Sequence, residues 1–137
     1  MTAGFGSVEL AMLGWSIVLG LVQLVLAAIV SVGGRGMPWA LGPRDAQGAA
    51  LSPVAGRLAR AFKNFLETFA LFAAAVLLIT AMNRHTHMSA LGAQLYFWAR
   101  VAYVPAYALA IPMTRTLVWL VSLVGIVLVL SAVCPYF

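Results

Sequence analysis

Three groups of residues in this chain have types and spacings that could do chemistry. The first lies in Arg57-Leu58-Ala59-Arg60-Ala61-Phe62-Lys63-Asn64-Phe65-Leu66-Glu67-Thr68, at the mouth of a strongly apolar segment. Arg60, Asn64 and Glu67 stand at i, i+4 and i+7, which is one helix face at about 100° per residue. The second group is Arg100, Tyr103 and Tyr107, at i, i+3 and i+7, again one face. The third is Arg115 with Thr116. Such a set offers cations for carboxylates, an amide for a peptide group, an acid for an amine and phenols that donate hydrogen bonds.

The elements that must position these residues are membrane helices. The sequence is 64% hydrophobic and 8% charged. A soluble domain carries roughly 25% charged residues, so the long charge-free runs define an all-α integral membrane protein. The net charge of +5 comes from eight basic residues scattered over the chain. They form no basic patch, so the partners expected are membrane lipids and no nucleic acid.

Four transmembrane helices are expected in an up-down bundle, one domain over 1–137, with spans at about 8–32, 54–82, 91–111 and 115–133. The first reads as a retained span, because it is too long for a signal-peptide core and is preceded by Glu9 rather than by basic residues. Gln23 sits within it and is expected to bond to a neighbouring helix, while Gly14, Ser16 and Gly20 offer close approach. Gly33, Gly34, Gly36 and Pro38 end it. A long loop follows, with Trp39 as an interfacial anchor and Arg44–Asp45 as a solvated pair. Ser52 before Pro53 reads as an N-cap with proline at the first helical position. His85 and His87 read as solvent-exposed loop residues, since no third ligand accompanies them. Cys134 reads as a small apolar residue at a helix end. Pro135-Tyr136-Phe137 closes the chain with aromatic interface residues.

Arg100 needs a buried acceptor, because an arginine in mid-span costs on the order of 3 kcal/mol. Glu67 reads as the acidic residue that lies deep in a span, and the two are expected to pair. Pro105 is expected to kink the third span. Loops 1 and 3 and their flanks carry Arg35, Arg44, Arg57, Arg60, Lys63 and Arg115, whereas loop 2 carries Arg84. The positive-inside rule then places loops 1 and 3 in the cytoplasm and both termini outside. Arg60, Lys63, Asn64, Glu67, Tyr103, Tyr107 and Arg115 come to one depth, as a net-positive pocket open to the cytoplasm. A small zwitterionic peptide with excess negative charge suits it, and the tripeptide glutathione is one. Nearby cations would also favour a bound thiolate over a thiol, whose ordinary pKa is about 8.5.

The stretch from Arg57 to Thr68 resembles the signature of the MAPEG family, the membrane-associated proteins of eicosanoid and glutathione metabolism. That signature is Arg-Ala-x-x-Asn-x-x-Glu with a further Arg three residues ahead, and each position is met. Arg100-Val101-Ala102-Tyr103-Val104-Pro105-Ala106-Tyr107 resembles the family's third-helix pattern. Arg115-Thr116 resembles the arginine that opens its fourth helix. Ala70 departs from the family, standing where many eukaryotic members have proline. The chain is most similar to bacterial members.

The resemblance implies a homotrimer with glutathione held between subunits near the cytoplasmic face. Arg60, Asn64, Glu67, Tyr103 and Tyr107 would hold it, with Lys63 standing in for a basic residue found in some members. Arg115 would stabilise the thiolate, assisted by Thr116, and Arg100 would support the pocket. Arg35 would match a basic residue at the end of the first helix that reaches a glutathione carboxylate. The implied function is a glutathione S-transferase or peroxidase acting on lipophilic electrophiles, in detoxification, in a bacterial inner membrane with both termini periplasmic. A non-catalytic lipid-binding or scaffold member of the family is the alternative. A small multidrug transporter using Glu67 as its proton site is a third class, weakened by the basic residues around that carboxylate.

Overall fold

A computed structural model describes residues 3–134. They form α1 (Ala3–Arg35), α2 (Met37–Leu41), α3 (Pro53–Ala81), α4 (His87–Ala108) and α5 (Thr114–Leu130), with no strand among them. Pro135, Tyr136 and Phe137 lie outside the described residues. Val8–Arg35 and Pro53–Ala81 are long and apolar enough to cross a membrane, and α5 is a shorter apolar helix. On α1 the side chains of Trp15, Ile17, Leu21, Val22, Val25 and Ile29 stand outward and exposed. Apolar surface in water costs about 25 cal/mol per Å², a penalty that hydrocarbon removes.

Local signals set the helix ends. Ser52 caps α3 by accepting from the Ala55 amide at 3.2 Å, with Pro53 in the first turn. Thr86 and Ser89 form a reciprocal capping box that starts α4 at His87, earlier than the apolar pattern implies. The first helix also runs further than its glycines imply. Gly33 and Gly34 stay helical, and the break falls at Gly36, whose φ of 86° suits glycine. Pro38 then sits in the first turn of α2, where its missing N–H is harmless.

Side chains from all four long helices meet in one core, including Leu13, Phe72, Val76, Ile79, Tyr96, Ile126 and Val129. The Phe72 and Tyr96 rings stack at 3.9 Å. The closest helix pair is α4 against α5, which run antiparallel. A Cβ added at Gly92 would lie 2.6 Å from the Gly125 carbonyl oxygen, and one at Gly125 would lie 2.7 Å from that of Gly92. The two backbones therefore touch through paired glycines, a small-residue contact of the kind membrane helices use. Of the expected close-approach positions on α1, Gly20 is met by the Phe65 ring, while Gly14 faces open space.

At the end of the bundle where α3 gives way to α4, Glu9 is fully buried. Its carboxylate accepts from Ser89 Oγ and pairs with His85 Nδ1. His85 is thus a buried partner of α1 and not a solvent-exposed loop residue; its side chain is 8% exposed. Glu67 in turn is not the deeply placed acid. It is exposed on α3, and Glu9 is the carboxylate this fold encloses.

Candidate functional site

At the opposite end, α3 begins, α4 ends and α5 begins. Tyr107 sits at the centre of this region. Its hydroxyl accepts from Arg60 Nε at 3.3 Å, and the Arg115 guanidinium lies 5.6 Å from its ring centroid. The Tyr103 ring is 5.5 Å from that of Tyr107. Two adjoining cavities open on either side. One, of about 270 Å³, is lined by Arg57, Arg60, Tyr107, Pro112 and Arg115 among others. The other, of about 340 Å³, is lined by Asn64, Tyr103, Tyr107, Arg115, Thr116 and Trp119. Tyr107 and Arg115 belong to both.

The polar inventory fits an anionic ligand. Three guanidiniums border the first cavity with no carboxylate on its wall. The described residues hold one ion pair, His85–Glu9 at the far end, so none of these arginines is neutralised among them. Arg57 Nε and Trp119 Nε1 are buried without a hydrogen-bond partner among the described residues. Unmatched buried donors are rare in folded proteins and point to a missing acceptor.

Arg100 does not pair with Glu67. Its Nη1 donates to Asn64 Oδ1 at 2.9 Å, and its Nη2 donates to the Asn64 carbonyl at 3.4 Å and to Thr68 Oγ1. Thr68 gives its own proton to the Phe65 carbonyl at 3.2 Å and meets the Tyr96 hydroxyl at 3.2 Å. The reason is angular. Asn64 and Thr68 are four residues apart and share the inward row of α3, whereas Glu67 lies about 100° round from Thr68. Arg100 is buried behind the cavities, with its guanidinium 5.0 Å from the Tyr103 ring centroid. It fixes Asn64 and Tyr103 rather than lining the cavity wall.

The expected residues therefore separate into two sets. Arg60, Asn64, Tyr103, Tyr107, Arg115 and Thr116 converge. Lys63 and Glu67 are exposed and border neither cavity. Arg57 and Trp119 join the site although the sequence reading gave them no binding role. Arg57 stands seven residues before Asn64, two helical turns along the same row, which is a signal the sequence does contain. Trp119 had none beyond its place one turn after Arg115.

An apolar helical bundle with a cationic pocket at one end defines an integral membrane protein whose pocket has the charge to suit an anionic ligand. The MAPEG family model matches residues 12–134, nearly the whole chain, and the protein belongs to that family of glutathione and eicosanoid metabolism. No curated protein matches the sequence.

Proposed function

We propose that the protein is a glutathione-dependent membrane transferase or peroxidase acting on lipophilic electrophiles. The observation that carries this reading is the convergence of Arg57, Arg60 and Arg115 on Tyr107 with no carboxylate among them. Two carboxylates of glutathione would meet these arginines, and Asn64 and Tyr103 would take its amides. Glu67 faces out of the subunit, where a neighbour in a homotrimer would complete the site and Glu67 would receive the amine. Arg115 is the catalytic residue in this scheme. Its charge favours the bound thiolate, the thiol proton leaves to water at the mouth, and Thr116 donates to the sulfur. Sulfur then bonds to the electrophilic carbon as the leaving group departs with its electron pair.

The four long helices act here as four spans of one domain, with the arginine-rich end cytoplasmic and both termini periplasmic in a bacterial inner membrane. The test is an ultraviolet difference titration of glutathione onto the purified protein, followed by conjugation of an aryl halide. Thiolate absorbance that saturates and vanishes in Arg115→Ala supports the reading. Absence of both binding and conjugation defeats it.

One observation favours a lipid-binding member instead. Ile17, Leu21, Phe62, Phe65, Leu66 and Phe69 are among the lining of a wholly apolar groove of about 190 Å³ between α1 and α3. Binding of a fatty acyl probe with no thiolate absorbance would select this second reading.

A further inference from the structure

The arginine-rich end carries a second cationic cleft, built by the last turn of α1, by α2 and by the loop after it. It encloses about 620 Å³ and is lined by Arg35, Trp39, Arg44, Asp45 and Gly48 among others. The Arg35 guanidinium lies 4.5 Å from the Trp39 ring centroid and that of Arg44 lies 5.3 Å away. The indole is fixed, because its Nε1 donates to the Ala46 carbonyl at 3.0 Å. Gly48 lets the loop close over it. A Cβ there would stand 2.9 Å from both Arg35 Cδ and Trp39 Nε1.

The two guanidiniums are held but not neutralised. Arg35 Nε donates to the Ala49 carbonyl at 3.4 Å, and Arg44 Nη2 donates to the Ala40 carbonyl at 3.2 Å. An arginine has five N–H donors, so most of each fork remains available. Asp45 lines the cleft but pairs with neither arginine, which corrects the expected Arg44–Asp45 pair. The cleft therefore keeps a net positive charge. It also sits where the apolar surface of α1 ends, with Ile29 exposed less than two turns before Arg35. A tryptophan at that level belongs to the headgroup layer of a bilayer.

Guanidinium forks match phosphate oxygens, and basic clefts at the membrane surface attract anionic headgroups. We propose that this cleft is a binding site for a phosphate anion at the membrane surface, supplied by the phosphodiester of an anionic phospholipid headgroup. Within the subunit the site is separate from the Tyr107 cavities.

Native mass spectrometry of the full-length protein in detergent tests it, with phosphatidylglycerol and phosphatidylcholine titrated separately. Phosphatidylglycerol is expected to bind about fivefold more tightly for each engaged arginine. The preference should fall away in Arg35→Gln/Arg44→Asn and survive in Arg60→Ala, whose charge lies in the other cavity. Asparagine suits position 44 because the backbone there is left-handed, with φ 60°. Arg44→Asn alone alters an exposed side chain and should give an intermediate preference. Equal binding of the two lipids overturns the proposal, as does a preference that the double variant retains. Displacement of phosphatidylglycerol by low-millimolar inorganic phosphate keeps the phosphate site and assigns it a soluble source.

Discussion

The two ends of this bundle treat charge in opposite ways. At one end Glu9 is fully enclosed, with His85 and Ser89 on its oxygens. At the other, Arg57, Arg60 and Arg115 face a cavity with no carboxylate to meet them. A buried charge whose partners are all internal ties elements together and has nothing left for a ligand. A set of like charges held apart on rigid helices keeps its attraction for something outside. The contrast separates a clasp from a site within one short chain.

The sharpest way to break this contrast is Arg115→Ala. We predict a loss of conjugating activity of about 100-fold or more, measured with an aryl halide at saturating glutathione. Thermal stability should hardly change, since Arg115 is exposed. The complementary change, Glu9→Leu, should do the reverse. It leaves Ser89 and His85 without their acceptor and should cost about 1–3 kcal/mol of stability by thermal unfolding in detergent. Glutathione affinity of the folded protein should stay the same. Were Glu9→Leu to abolish glutathione binding without destabilising the fold, the two ends would not be functionally distinct.

A third change probes the scaffold between the ends. Gly125→Ala places a methyl against the Gly92 carbonyl and should cost about 1–3 kcal/mol by overpacking. Activity should fall only in step with the folded fraction. The smallest effects sharpen the edge of the site. Arg60→Ala should weaken glutathione by about tenfold in the absorbance titration, as loss of a charged hydrogen-bond donor does. Lys63→Ala, outside both cavities, should weaken it less than about twofold.

The arginine-rich end was largely readable from the sequence. Periodicity grouped Arg60 with Asn64 and Tyr103 with Tyr107, because a helix places such spacings on one face whatever surrounds it. The same periodicity misjudged Arg100. It gives a face about 100° wide but not the row within it that meets the neighbour, so Glu67 was preferred to Asn64 and Thr68. The clasp was harder to see. Glu9 and His85 are 76 residues apart, with no local pattern joining them. Gly92 and Gly125 were invisible for the same reason, since each looks like an isolated glycine until the helices are docked. Gln23 is buried with its Nε2 unmatched, so its expected helix-bridging bond is not made among the described residues.

The glycine contact between α4 and α5 also governs how the molecule can deform. Helices joined backbone to backbone behave as one lever, so Tyr103, Tyr107 and Arg115 keep their mutual distances when anything moves. Helix α1 lies outside that lever, since it packs on α3 and α4 but not on α5. A guest arriving sideways through hydrocarbon would meet α1 along the Phe62, Phe65 and Phe69 edge of α3. Tyr103, Tyr107 and Arg115 ride on that lever, whereas Arg57 and Arg60 face them from α3.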